Sequence, residues 1–209
     1  MSNTCFSIAY LAPVSYYVAL TEAEQVIQES AETYQKQTYR NRCYIAGANG
    51  KMALSIPTEK LSGEKTLIKD TRISKHSDWQ IQHWRSIESA YNSTPFFEYY
   101  KDDFAPFYLK EWDFLWDFNF ELQTKVLELL ELEKKIELTT DYQQFLGDNI
   151  LDLRNSFHPK NEISNLTYKR YYQVFEQKFG FISELSIIDL LFNMGNESQL
   201  VIHNNKNYK

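Results

Sequence analysis

Residues 42–57, RCYIAGANGKMALSIP, constrain the fold more than any other stretch. Two runs of strand-forming residues, 42–47 and 51–56, flank Ala48-Asn49-Gly50. Asn-Gly between such runs is the strongest short hairpin signal, because both residues accept positive φ at little steric cost. Pro57 lacks an amide proton and ends the returning strand or sits on its edge. Upstream, Lys36, Arg40 and Arg42 are interleaved with Tyr34, Tyr39 and Tyr44 and with Gln35, Gln37 and Asn41. In a chain of net charge −6, this cationic, donor-rich segment is the best candidate for holding an anion. The alternative is a solvated sheet edge with tyrosines packed beneath it.

At 209 residues the chain is long enough to bury a real core as one domain. An aromatic content of 16% argues for a core with polar handles and aromatic-lined clefts. The acidic balance argues against nucleic acid as a partner, since phosphate neutralisation needs a basic face. Two cysteines far apart, Cys5 and Cys43, and no signal peptide fit a reducing, cytoplasmic setting. No apolar run approaches a membrane span. Phosphate-binding glycine loops, CxxC pairs and His-Glu-x-x-His are all absent, so the sequence calls for no metal and no cofactor.

Along the chain, 5–10 reads as a buried first strand stopped by Ala12-Pro13. Tyr16 and Tyr17 follow beside its C-terminal end, the edge at which open α/β sheets bind ligands; the bland reading is that they cap the core. Thr21 with Glu24 has capping-box spacing for a helix over 21–32, although Val26-Ile27 also suits a short strand. A polar turn falls at 61–64, and loose alternation over 66–74 predicts a strand. Ser77 with Gln80 repeats the capping-box spacing and opens a helix to about 92, with Trp79, His83, Ile87 and Ala90/Tyr91 on one face. His83, beside Trp84, is either a satisfied core histidine or a proton-transfer group. A dense aromatic link, 96–108, is interrupted by Pro106. The spacing then predicts a long central helix over 110–135, within whose stripe Asn119 must find hydrogen-bond partners. Residues 137–142 read as a strand, and Asp152-Leu153-Arg154 follows a short apolar step. Tyr168, Tyr171, Tyr172, Phe175 and Phe179 fall at helical spacing. The last helix, 183–194, encloses Asp189 in apolar residues, so that carboxyl needs a cation or a raised pKa. The fold expected is one α+β domain over 1–203, with strands mostly in the first third and helices after, and a polar, disordered tail at 204–209.

Tyr10-Leu11-Ala12-Pro13 with Tyr16-Tyr17, Tyr39-Arg40-Asn41-Arg42, Leu54-Ser55-Ile56-Pro57, His83-Trp84 and 185–193 together resemble the WbqC-like proteins across nearly the whole chain. The resemblance implies surface-polysaccharide (O-antigen type) precursor biosynthesis in bacteria, with transfer of an aminoacyl or acyl group such as glycine onto a nucleotide-activated amino sugar. The chain departs from many members at Ile8-Ala9, where they carry Gln or His-Gln, and at Ala12; if those polar groups take part in catalysis, activity here is altered. The expected partner is a nucleotide-sugar or similar small anionic metabolite. The rival is a non-catalytic protein that docks another protein through residues 96–108. For catalysis, His83 is the candidate acid or base, Arg40, Asn41 and Arg42 the candidate oxyanion donors, and Asp189 or Asp152 the group that orients the imidazole or pairs with an arginine. Lys36, Tyr10, Tyr16, Tyr17, Trp84 and Arg154 complete the candidate binding set.

Overall fold

The computed structural model describes residues 2–59, 65–160 and 169–203; the turn expected at 61–64, Tyr168 and the tail at 204–209 lie outside the described residues. Four short parallel strands form one sheet in the order β5-β2-β1-β6. They are β1 (Asn3–Ser7), β2 (Val26–Glu29), β5 (Ile136–Leu138) and β6 (Ile150–Asp152). Ser7 pairs with Glu29 and Cys5 with Asp152, so β1, β2 and β6 bring polar residues to one carboxyl edge. The second sheet is the expected hairpin, β3 (Arg42–Gly47) and β4 (Gly50–Ser55). Its turn differs in detail: Gly50 alone takes positive φ, +103°, while Ala48 and Asn49 form the loop.

The connection from β1 to β2 is helix α1 (Val14–Glu22), not the helix expected over 21–32. Every residue from Val14 to Leu20 is buried, so the segment has no polar face and no period to read. Val26-Ile27 is a strand because it must pair with both β1 and β5. Residues 66–74 are not a strand: Leu67, Arg72 and Ile73 make only isolated bridges around a 3-10 turn at Ile68–Asp70.

Helices α2 (Trp79–Tyr91), α3 (Phe97–Leu109), α4 (Leu115–Leu129) and α6 (Ile187–Met194) supply most of the remaining core. The expected capping box of α2 does not form. Asp78 is the N-cap, without a side-chain bond, and Gln80 instead donates to the carbonyls of Phe107 and Lys110 at 3.1 and 2.6 Å. Helix α3 runs through Pro106, because Phe97, Tyr100, Phe104 and Tyr108 all bury on its inner face. An interior proline costs about 3 kcal/mol, and four buried aromatic rings outweigh it at about 1.5–3 kcal/mol each. That burial also withdraws most of the aromatic surface that residues 96–108 would offer a partner; Tyr99 remains exposed.

Helix α4 begins five residues later than expected, since Asp113 O and Leu115 N pair with Ile73 N and Thr71 O. Around residues 171–182 the chain is largely irregular, with one turn of helix, α5 (Glu176–Phe179), in place of the longer helix expected there. Beyond α6, a 3-10 turn (Gly195–Glu197) leads into α7 (Ser198–His203), which packs against α1. The result is the expected α+β arrangement, with strands mostly in the N-terminal part. Among the described residues no helix is long and apolar enough to cross a membrane.

Candidate functional site at the carboxyl edge of the parallel sheet

From β1 the chain crosses to β2 on one side, while β6 pairs with β1 on the other. The segments leaving β1 and β6 therefore part above the sheet, and such a switch point is where parallel sheets open a crevice for ligands. A cavity of about 10 Å³ lies there, room for roughly one water or one ligand oxygen. Its walls are Ser7 at the end of β1 with Ile8 and Ala9 beyond it, Leu153 and Arg154 after β6, and Tyr16, Tyr39, Arg40 and Phe157.

Around it runs a buried charge network. Arg40 donates from Nε to Glu32 Oε1 at 2.8 Å, and from Nη2 to Glu32 Oε2 and to Ser7 Oγ, the latter at 2.7 Å. The Ser7 hydroxyl lies 2.9 Å from Glu32 Oε2 and 3.0 Å from the Arg154 carbonyl, and its single proton serves one or the other. Arg154 grips Asp152 with Nε and Nη2 at 2.9 and 2.6 Å, and from Nη1 donates to Glu29 at 2.8 Å and to the Gln143 carbonyl at 2.9 Å. Glu29 is completed by Ala31 N at 2.8 Å and Thr139 Oγ1 at 2.6 Å. The Arg154 guanidinium holds the Asp152 carboxyl below the usual carboxylate range, and Asp152 raises Arg154 in turn. Two guanidiniums and three carboxylates leave one negative charge in excess. One donor group stays uncommitted: among the described residues Arg40 Nη1 donates to nothing, although Arg40 is 97% buried.

The back wall comes from α4. Asn119 Nδ2 donates to the Arg40 carbonyl at 2.7 Å, so the expectation of partners is half met: its buried Oδ1 accepts from no group among the described residues. Gln123 Nε2 donates to Gln28 Oε1 at 3.0 Å, and Gln28 Nε2 to Phe6 O at 3.0 Å. Tyr16 reaches the same cluster, its hydroxyl 3.1 Å from Ser7 O, and burial raises its pKa. Tyr17 packs against Tyr16 and is fully enclosed. Among the described residues four that are not glycine take left-handed backbone: Leu11 in the segment after β1, Gln37 just before Tyr39, Glu131 after α4 and Glu184 against α1, at φ of +41°, +60°, +50° and +56°. Non-glycine residues persist at such angles only where their surroundings over-determine them.

The other candidate residues lie elsewhere. Lys36 is exposed. Arg42 donates across the hairpin to Ser55 Oγ at 2.8 Å, and Asn41 Nδ2 to Ile56 O at 3.0 Å. His83 is buried between Trp79 and Tyr10, with Nδ1 3.0 Å from the Tyr10 hydroxyl, which also meets Tyr108 at 2.8 Å. Burial pushes the His83 pKa down to about 4, so the ring is neutral at pH 7. Trp84 stacks on Tyr108. Asp189 is fully buried and accepts from Tyr91 (2.9 Å), Tyr171 (2.7 Å) and Gln173 (3.1 Å); burial lifts its pKa to about 6 against the effect of those bonds. Among the described residues no hydrogen bond joins His83 to Asp189, Asp152 or either arginine. No motif marks Ser7, Gln28, Glu29 or Glu32 as site residues, and Tyr39 stands out only as part of the cationic segment. The available signal was the placement of Ser7 and of Gln28-Glu29 at the ends of apolar strand cores.

Fold and site thus define an α+β protein with a charged crevice at the switch point of a short parallel sheet. The WbqC-like protein family model matches residues 9–165, and the chain belongs to that family. The match spans Arg40, His83 and Arg154 and stops short of Asp189. The uncharacterized protein Rv1507c of Mycobacterium tuberculosis (strain ATCC 25618 / H37Rv) is 24% identical over 213 residues, covering 90% of this chain and 92% of the relative. No solved structure matches.

Proposed function

We propose that the chain is a transferase of surface-polysaccharide precursor biosynthesis, acting on a nucleotide-activated amino sugar or a similar anionic metabolite held over the crevice between β1 and β6. The observation that carries this reading is Arg40: a buried guanidinium fixed by Glu32 and Ser7, with Nη1 left over beside the cavity. A pre-oriented guanidinium edge suits a phosphate or carboxylate oxygen, or the oxyanion that develops when an amine attacks an acyl group. The cavity admits only the leading oxygen, so the rest of the ligand lies on its rim. The chemistry is then aminoacyl or acyl transfer to the sugar amine. The attack also needs a base: the His83 ring is neutral at pH 7, the form that accepts a proton, but it lies enclosed between Trp79 and Tyr10 with Nδ1 on the Tyr10 hydroxyl. Thermal-shift screening against nucleoside diphosphates, their sugars and acyl donors tests the reading through ligand linkage. Arg40→Lys keeps a charge for Glu32 and removes Nη1, and it should weaken the response about tenfold, as loss of one charge-assisted bond does. A wild-type chain that no anionic ligand stabilises would sink the proposal.

A further inference from the structure

A buried phenol ordinarily ends on a hydrogen-bond partner. Most tyrosines of this core follow the rule: Tyr10 meets His83 and Tyr108, Tyr16 donates to the Ser7 carbonyl, Tyr91 and Tyr171 donate to Asp189, and Tyr100 donates to Asn196. Tyr17 and Tyr39 depart from it. They are only 1% and 6% exposed, yet neither hydroxyl makes a hydrogen bond among the described residues. Tyr17 packs edge-on against Tyr16 and is no part of the cavity wall, whereas Tyr39 lines the cavity and precedes Arg40 in the chain. Among the described residues the side-chain polar atoms sealed from solvent without a partner are Asn41 Oδ1 and Asn119 Oδ1, so the Tyr39 oxygen keeps an open face. Everything else about the residue is held in place. Tyr10 N donates to the Tyr39 carbonyl at 2.8 Å, Thr38 Oγ1 to the Gln35 carbonyl at 2.8 Å, and the Tyr39 ring meets Tyr44 edge-on at 6.2 Å. Burial raises the phenol's pKa above its ordinary value, and the Glu184 carboxylate adds to the rise, so the group keeps its proton at pH 7 and can donate a hydrogen bond. With the uncommitted Nη1 of Arg40, a fixed phenol on the same small cavity gives the crevice two donors for acceptor oxygens.

We infer that Tyr39 is a ligand-contacting residue: its hydroxyl donates to a phosphoryl oxygen of the ligand that Arg40 anchors at the cavity. The inference rests on the reading of the crevice given above. A phosphate group carries several acceptor oxygens, so one can enter the cavity toward Arg40 while another meets the phenol on its wall. The test is isothermal titration of wild type and Tyr39→Phe with UDP, dTDP, GDP and UDP-glucosamine, together with urea unfolding of both unliganded chains. Tyr39→Phe removes one oxygen and keeps the ring. Expected are an unchanged urea midpoint, because the hydroxyl has no protein partner to lose, and nucleotide binding about tenfold weaker, as loss of one hydrogen bond to a charged group produces. UDP and UDP-glucosamine should lose equally, since they share the phosphates. Tyr39→Phe binding the nucleotides like wild type overturns the inference and leaves the crevice reading intact. So does a urea midpoint clearly below wild type, which would give the hydroxyl a structural task instead. A loss confined to UDP-glucosamine moves the contact to the sugar and overturns the phosphoryl assignment. A wild-type chain that binds none of these nucleotides also overturns the inference, and the crevice reading falls with it once acyl donors fail as well.

Discussion

Replacing Asp189 by Asn should make the chain more stable relative to wild type at neutral pH than at acid pH. The carboxyl is fully buried, and its partners are two phenols and an amide, none of them a cation. Burial raises its pKa from 3.8 to about 6, outweighing the three donors. Between those values the folded chain holds a proton that the unfolded chain has released, so stability falls as pH rises through this window. Two pKa units at 1.36 kcal/mol each set the penalty at about 3 kcal/mol, complete above pH 6 and absent below 3.8. Wild-type stability alone will not reveal it, because His83 works in the opposite direction. The assay is therefore a double difference: urea unfolding of wild type and Asp189→Asn, each at pH 4 and pH 7.5. The variant should gain roughly 2–3 kcal/mol on wild type between the two pH values. A difference that does not change with pH, or that grows toward acid, would refute the argument, and a cation close to Asp189 would then have to be found.

His83→Gln should behave in mirror image. A folded pKa of about 4 against 6.5 means that the unfolded chain takes up the proton first, so the contribution is present above pH 6.5 and is lost as pH falls toward 4; urea unfolding should show wild type losing roughly 3 kcal/mol relative to the variant over that range, while any ligand-induced thermal shift persists. Arg154→Met leaves Glu29 and Asp152 without their cation and should lower the unfolding free energy by about 3–5 kcal/mol, part of it restored by adding Glu29→Gln in a double variant measured by the same unfolding curves. Gly195→Ala places a Cβ 2.5 Å from Phe96 Cδ1 and Cε1 at φ +56°, and left-handed strain with overpacking should cost about 2–4 kcal/mol by urea denaturation. An anionic ligand of the crevice should bind with less than about a threefold change in affinity between 50 and 500 mM salt, because buried pairs are screened weakly; a steep dependence would place it on exposed cations such as Lys36.

The parts of the fold legible in the sequence are those in which short-range chemistry and long-range packing agree. The hairpin is one: its strands, its turn and its terminal Ile56-Pro57 are all written within sixteen residues. The inner face of α2 is another, since Trp79, His83, Ile87, Ala90 and Tyr91 are the buried residues that a spacing of three and four selects. Helix α1 was hidden for a physical reason. Val-Ser-Tyr-Tyr-Val-Ala-Leu buries every side chain and mixes β-branched and aromatic residues, so neither period nor propensity separates helix from strand. The alternation over 66–74 misled in the other direction: Leu67, Ile68, Thr71 and Ile73 alternate loosely, yet no neighbouring strand offers them a ladder. The parallel sheet could not be read locally at all, because β1 draws its partners from residues 26–29 and 150–152.

The same separation hid the crevice. Arg40 and Arg154 were visible as isolated cations, but what each does depends on carboxylates that pairing alone assembles. Glu29 reaches Arg154 across 125 positions, and Ser7 reaches the Arg154 carbonyl across 147. An anion clamp was expected from the alternating cations of residues 36–42. A strand register instead turned Arg42 toward Ser55, left Lys36 in solvent and drew Arg40 inward onto Glu32. With three carboxylates facing two guanidiniums, the crevice carries one negative charge in excess, and its net field opposes an approaching anion. Whatever it recognises must be met by position, through the single nitrogen that Glu32 and Ser7 leave open on Arg40 and through groups on the rim. That is a demand for geometric fit, at a site whose buried charges are otherwise spent on one another.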